Sequence, residues 1–158
     1  MTDEPIANAG VKFPPPFVYL IGLVIGYGLS KWIPLRLVSP EPRWMFYLGV
    51  VLVAIGVMFG FWGVATFKRH QTAIIPFHPA SLVVMSGPYA ITRNPMYVGL
   101  ACSYMGASFL LDTWWAFALS PVVVRIIDRQ VIAREERYLL SAFGAEYAGY
   151  LKKVRRWL

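Results

Sequence analysis

Two stretches of the chain hold residues whose types and spacing could do chemistry: SGPYAITRNPMY, Ser86 to Tyr97, and REERYLLSAFGAEY, Arg134 to Tyr147. In the first, Gly87-Pro88 marks a turn. Asn94-Pro95 then opens a helix, with Pro95 in its first turn and Asn94 as the expected cap. A helix start presents unpaired backbone N–H groups, which suit a carboxylate or a phosphate. A plain capped helix needs the same residues, and by residue type alone that structural reading is the commoner one. In the second stretch Glu135 and Glu136 are adjacent, with Arg134 and Arg137 on either side. Such a run is usually the solvated face of an amphipathic helix. The alternative is that one carboxylate turns inward to hold a cation, which is expensive near a membrane unless the group is paired.

The other chemistry-bearing residues are few. His70 and His78 are eight apart around IIPF with no third ligand nearby, so they read as interfacial residues and no metal is expected. Cys102 is the single cysteine and lies in an apolar run, which precludes an internal disulfide and makes packing its expected role. There is no Ser-His-Asp pattern, no P-loop and no zinc spacing. GLVIGYG, Gly22 to Gly28, follows no strand and has the wrong spacing for a dinucleotide fingerprint.

The elements that must position these residues follow from composition. Of 158 residues, 58% are hydrophobic and 16% aromatic, while 15% are charged; soluble domains carry about 25% charged residues. That excludes a disordered chain, a disulfide scaffold and an ordinary water-soluble enzyme. It points to a single all-α integral membrane domain over residues 1–158. The net charge of +7 does not imply nucleic acid, because membrane proteins keep Lys and Arg on one face for topological reasons.

Four crossings are expected. The first helix spans about 14–33, with Lys31 able to snorkel. No basic n-region or cleavage site precedes it, so it reads as a retained helix. The second, Trp44 to Phe67, has 24 residues without a charge, about 36 Å of helix, enough for a core of about 30 Å. The third spans about 95–111 and the fourth starts at Trp114, the two forming a hairpin around Asp112-Thr113. The third is short, so the segment before Met96 is drawn down to the membrane boundary. The fourth continues to about Phe143 as an amphipathic helix leaving the bilayer, and Gly144 stops it. Gly22 with Gly26, Gly56 with Gly60, and Gly99 with Ser103 and Ala107 read as close-packing positions. Lys12, Lys68, Arg69, Arg93 and the eight basic residues from Arg125 to Arg156 fall on one side, twelve in all, against Lys31, Arg36 and Arg43 on the other. This imbalance places both termini in the cytoplasm.

The two chemistry-bearing stretches together resemble the isoprenylcysteine carboxyl methyltransferase family and its phospholipid methyltransferase relatives. The family pattern is a loop S-G-x-Y-x-x-x-R-H-P-x-Y, a helical hairpin, then an E-E helix ending in F-G-x-E-Y-x-x-Y. It is matched by Ser86, Gly87, Tyr89, Arg93, Pro95 and Tyr97, and by Glu135, Glu136, Phe143, Gly144, Glu146, Tyr147 and Tyr150. The match covers about residues 80 to 155. The resemblance implies a multi-pass membrane enzyme that uses S-adenosylmethionine and releases S-adenosylhomocysteine. It implies a cytoplasmic cofactor region over 78–97 and 129–155, lined by Ser81, Leu82, Val83, Val84, Tyr89, Asn94, Pro95, Met96, Tyr97 and Glu135. The residues' own chemistry agrees. The helix start at Asn94–Tyr97 can meet the donor's carboxylate, Glu135 its ammonium, and Tyr89 or Tyr97 its adenine or sulfonium.

Two positions depart from the family. Its histidine before the proline is Asn94 here, which can hydrogen-bond but cannot shuttle a proton at neutral pH. The arginine that the eukaryotic carboxyl methyltransferases carry one turn before the glutamate is Val131 here. The expected substrate is a small lipophilic acceptor reaching the site from the membrane lipid. The nearest arginines to Val131 are Arg129 and Arg134; for a carboxylate acceptor an arginine such as Arg129 would orient it, and for an amine or thiol Glu136 would be the candidate base. Two competing readings use the same residues: a non-catalytic four-helix scaffold anchored on anionic lipid by KKVRR, and a membrane reductase with a nicotinamide cofactor.

Overall fold

The computed structural model describes residues 10, 11, 13–35, 43–70 and 82–158. Among them the regular structure is helical: α1 (Pro15–Trp32), α2 (Arg43–Arg69), a one-turn 3-10 helix (Gly87–Ala90), α3 (Pro95–Leu110), α4 (Trp114–Ile127), a π-helical turn (Asp128–Ile132) and α5 (Ala133–Lys153). The one β feature among the described residues is an isolated parallel bridge between Thr92 and Arg155.

α2 packs antiparallel along α3. Its buried residues Met45, Gly49, Gly56, Gly63 and Thr66 recur at four-, seven- and three-residue steps, which gather them on one face. The approach is closest where Gly56 meets Gly99. A Cβ on Gly56 would stand 2.5 Å from the Gly99 carbonyl oxygen, and a Cβ on Gly99 would stand 2.5 Å from that of Gly56. Small residues are what allow two backbones to come this near.

α1 packs antiparallel to α4. Gly26 lies against Ala116, and Gly22 against Val123 and Tyr104. The α3–α4 turn is tied to the end of α1 by Thr113 Oγ1 donating to the Gly26 carbonyl at 3.2 Å and Trp115 Nε1 donating to the Ile33 carbonyl at 2.9 Å. Asp112, at φ +43°, makes the tight reversal. The four helices thus alternate in direction. The C-terminal end of α2, the start of α3 and the end of α4 share one end of the bundle, and α5 continues from there.

The outward faces are apolar. Val24, Met58 and Phe61 are 63%, 67% and 70% exposed, and Phe17, Leu20, Trp44 and Tyr47 are also exposed. An apolar surface this continuous marks contact with something other than water. α2 is the one helix among the described residues long and apolar enough by itself to cross a membrane.

The fourth helix does not run as one regular element to Phe143. Pro121 sits inside α4, a helix interior being where proline removes a backbone hydrogen bond. The π turn then inserts between α4 and α5, and such turns recur at functional sites. Gly144, at φ +49° and ψ −119°, breaks the helix locally. It does not stop it, because helical backbone resumes and continues to Lys153.

Candidate active site

Both halves of the sequence pattern arrive at the shared end of the bundle. The 3-10 turn carries Tyr89, whose ring packs on Phe67 of α2 with centroids 5.0 Å apart. Its carbonyl accepts from the Tyr150 hydroxyl at 2.6 Å, which binds this loop to the end of α5. The Tyr89 hydroxyl is buried with no hydrogen-bond partner among the described residues, an unusual state for a buried polar atom. Burial pushes this hydroxyl well above the ordinary tyrosine range, helped by Tyr150 and Glu135. The Tyr150 phenol is likewise pushed up by burial, to about 12, with Arg93 acting in the opposite direction.

Glu135 and Glu136 both face the protein interior, yet they meet different partners. Glu135 accepts from the Tyr97 hydroxyl at 2.7 Å. Its carboxyl is pushed up to about 7, first by burial and also by the charge of Glu136, while the Tyr97 hydrogen bond works against the rise. Tyr97 is itself anchored through its carbonyl, which accepts from the Tyr19 hydroxyl of α1 at 3.3 Å. Glu136 pairs with Arg93 at 3.3 Å and receives Arg156 on both oxygens, Nε at 3.2 Å from Oε1 and Nη2 on Oε2. The flanking arginines do turn away. Arg134 donates to the Gly10 carbonyl and to Gln130, and Arg137 to the Ala133 carbonyl. The solvated-face expectation therefore holds for the arginines and fails for the glutamates, because two guanidinium groups and a phenol are brought over α5 to receive them.

Asn94 stands at the cap position of α3, but its side chain makes no cap hydrogen bond. Nδ2 donates instead to the Arg156 carbonyl at 2.9 Å. Pro95 is buried, with Met96 and Tyr97 partly so. Pro95 opens the helix, so the N–H groups of Met96 and Tyr97 have no acceptor within it. Val84 is buried and Val83 half-buried, while Leu82 is 36% exposed. Ser81 and His78 lie outside the described residues. His70 pairs with the Ser86 hydroxyl at 2.8 Å. No group of three or more His, Cys, Asp or Glu able to hold a metal occurs among the described residues.

On the acceptor side, Arg129 is exposed on the π turn, and Val131 is fully buried in the core. Sequence reasoning passed over Arg156 and Asp128. Arg156 Nη1 donates to both Asp128 oxygens, at 3.2 and 3.3 Å, and Trp157 Nε1 donates to Oδ1 at 3.1 Å. Within KKVRR nothing separates Arg156 from its basic neighbours, so no local signal marked it.

The site therefore offers one anionic group of raised pKa, an adjacent tyrosine hydroxyl, a second buried hydroxyl without a partner among the described residues, and a helix start. A ligand with a cationic amine and a carboxylate has matching groups here.

The phospholipid methyltransferase family model matches residues 44–146. The chain is similar to the protein-S-isoprenylcysteine O-methyltransferase of Schizosaccharomyces pombe, 40% identical over 73 residues, 46% of this chain and 31% of that protein. It is 28% identical over 142 residues to a probable protein-S-isoprenylcysteine O-methyltransferase of Oryza sativa subsp. indica, covering 86% of this chain and 74% of that one. It is 29% identical over 144 residues to the methanethiol S-methyltransferase of Pseudomonas deceptionensis, covering 84% of this chain and 53% of the relative. No solved structure matches the chain significantly. The family match takes in α2, the Ser86–Tyr97 loop, the α3–α4 hairpin and both glutamates: the chain belongs to the phospholipid methyltransferase family.

Proposed function

We propose that the chain transfers a methyl group from S-adenosylmethionine to a small lipophilic acceptor, at a site on the cytoplasmic face of a four-crossing membrane domain. The observation that carries this reading is the Tyr97–Glu135 pair together with the buried hydroxyl of Tyr89, which has no hydrogen-bond partner among the described residues. The chain covers about half or less of two of its relatives, so activity and acceptor are inferences from the site and from family membership together.

Glu135 would hold the donor's ammonium, and the start of α3 at Asn94–Tyr97 its carboxylate. Val83 and Val84 would line the apolar side, with Leu82 at the edge. Tyr89 and Tyr97 bring aromatic rings to this end of the bundle, groups of the kind that accompany organic cations. Bound there, the donor supplies an electrophilic methyl on a sulfonium, and the in-line displacement needs no metal. What the residues do is position the donor and exclude water, which can supply most of the acceleration.

The structure bears on two roles weighed at the acceptor side. Both oxygens of Glu136 are engaged by guanidinium groups, so we assign it to holding the site together rather than to removing a proton. Arg129 points outward, so we do not assign it to orienting an acceptor carboxylate. The relatives bear names of a prenylcysteine and of methanethiol as substrates; a lipid-soluble acceptor reaching the bundle end from the bilayer accommodates either chemistry.

The alternation of helix directions supports four crossings with both termini on one side. The twelve-to-three distribution of basic residues supports that side being cytoplasmic. The deciding experiment is calorimetric titration of S-adenosylhomocysteine into detergent-purified protein, beside Glu135→Ala. Binding weakened tenfold or more by the substitution is expected, about 1.4 kcal/mol. Absence of binding in a well-folded wild-type protein overturns the reading.

A further inference from the structure

After α5 the backbone becomes extended at Val154, φ −121° and ψ 137°, and the last residues cross back over the start of α3. Thr92 and Arg155 form the parallel bridge, and the Arg93 amide donates to the Arg155 carbonyl at 2.9 Å. One residue on, the Arg156 carbonyl accepts twice, from Thr92 Oγ1 at 3.0 Å and Asn94 Nδ2 at 2.9 Å. The Arg156 side chain turns the other way, between the carboxylates of Asp128 on the π turn and Glu136 on α5. Lys152, Lys153 and Arg155 stay exposed.

We propose that Arg156 is the positioning residue of the donor site, joining the Asn94–Tyr97 corner to the helix that carries Glu135. This rests on the functional reading above. The two halves of that site belong to chain segments about 40 residues apart, and the Tyr97–Glu135 hydrogen bond alone is a weak constraint on how they sit. Arg156 supplies the missing restraint from one residue: its backbone holds Asn94, and its guanidinium holds Glu136, the immediate neighbour of Glu135. A planar fork of five donors can satisfy two carboxylates at once, which a lysine ammonium on a flexible stem does poorly. The arrangement also gives Asn94 its task. With its amide on the Arg156 carbonyl, that side chain is a tie to the C-terminal segment and not a helix cap.

Among the described residues the titratable groups that act on Glu135 are Tyr97, Tyr89, Tyr147 and Glu136, and the charge of Glu136 raises the Glu135 pKa. Removing Arg156 leaves Glu136 less compensated and moves Glu135 further upward. The test is calorimetric titration of S-adenosylhomocysteine into the full chain in detergent, as wild type, Arg156→Gln, Arg156→Lys and Asp128→Asn, each across a pH series and with a thermal melt. Arg156→Gln is expected to weaken binding at least tenfold and to shift the midpoint of the pH dependence upward, with helix content retained. Arg156→Lys is expected to recover only part of the loss. If Arg156→Gln does not fold, Asp128→Asn removes one anchor of the same guanidinium, and a several-fold weakening is expected there. An Arg156→Gln protein, or failing that an Asp128→Asn protein, that melts earlier but keeps wild-type affinity and pH midpoint overturns the proposal. A wild-type protein that fails to bind overturns the donor site itself, and with it any role of Arg156 there.

Discussion

The hydroxyl of Tyr97, in the first turn of α3, donates to Oε1 of Glu135, in the first turn of α5, at 2.7 Å. These residues are 38 positions apart and lie on elements joined through a hairpin and a π turn. Their meeting brings the two chemistry-bearing stretches into one site, and it leaves Glu135 a desolvated acid whose pKa, about 7, falls where small changes alter its charge.

Glu135→Gln keeps the shape and most of the hydrogen bonding and removes the charge. Affinity for S-adenosylhomocysteine is expected to fall by tenfold or more, about 1.4 kcal/mol, while circular dichroism stays that of the wild type. Equal affinity in the two proteins would remove Glu135 from the donor site.

Donor binding should depend on pH through the same group. An ammonium ligand needs the carboxylate ionised, so affinity is expected to rise with pH through about 7. The Tyr97 hydrogen bond lowers the Glu135 pKa, so Tyr97→Phe should move the midpoint of that rise to higher pH. Titrations of both proteins across this range check the sign; a shift to lower pH contradicts the pairing.

Stability carries the opposite slope. The folded pKa of Glu135 is above its ordinary 4.5, so the folded state binds the proton more tightly than the unfolded chain does. The contribution is fully present below about 4.5 and is lost as pH rises through about 7. Glu135→Gln should flatten this part of the profile and raise the melting temperature above pH 7 relative to wild type. Melts in detergent at several pH values measure it.

The close passage of α2 and α3 predicts a strong effect at a position far from the site. A Cβ on Gly56 would lie 2.4 Å from Ser103 Oγ and 2.5 Å from the Gly99 carbonyl. Gly56→Val is expected to destabilise by about 1–3 kcal/mol through overpacking. Gly28→Val, where a Cβ meets nothing within 4 Å, is the control for helix propensity. Equal melting temperatures for the two variants would mean that the helices are not spaced as described.

At Val131 the buried position decides the outcome of a change toward the family pattern. It is fully buried among Ile127, Ile132 and Tyr138. Val131→Arg is expected to cost about 3–5 kcal/mol, the magnitude associated with an uncompensated buried charge. Reduced yield and an earlier melt would show it; a normal melt with tighter binding of an acidic acceptor would mean that the guanidinium reaches the site.

Much of this protein was legible along the chain, and for a common reason: those features depend on composition and short spacing. An uncharged run as long as Trp44–Phe67 has few alternatives to a helix in an apolar environment, because every backbone polar group must be satisfied within the segment. Pro95 after Asn94 sets where α3 begins, through the fixed φ of proline and its missing N–H. The residue types in SGPYAITRNPMY and REERYLLSAFGAEY carried the family.

What the tertiary structure alone decided is which of several equivalent residues each group meets. Glu135 and Glu136 are identical in type and adjacent, and only the folded arrangement gives one a phenol and the other two guanidinium groups. Arg156 is one basic residue in KKVRR, distinguished from its neighbours by which way the extended backbone after Val154 points it. Asn94 has the residue type of a cap and spends its amide on a carbonyl 62 positions away. Hydrogen bonds and ion pairs between distant segments depend on where the chain returns in space, and local propensity along the sequence holds no record of that return.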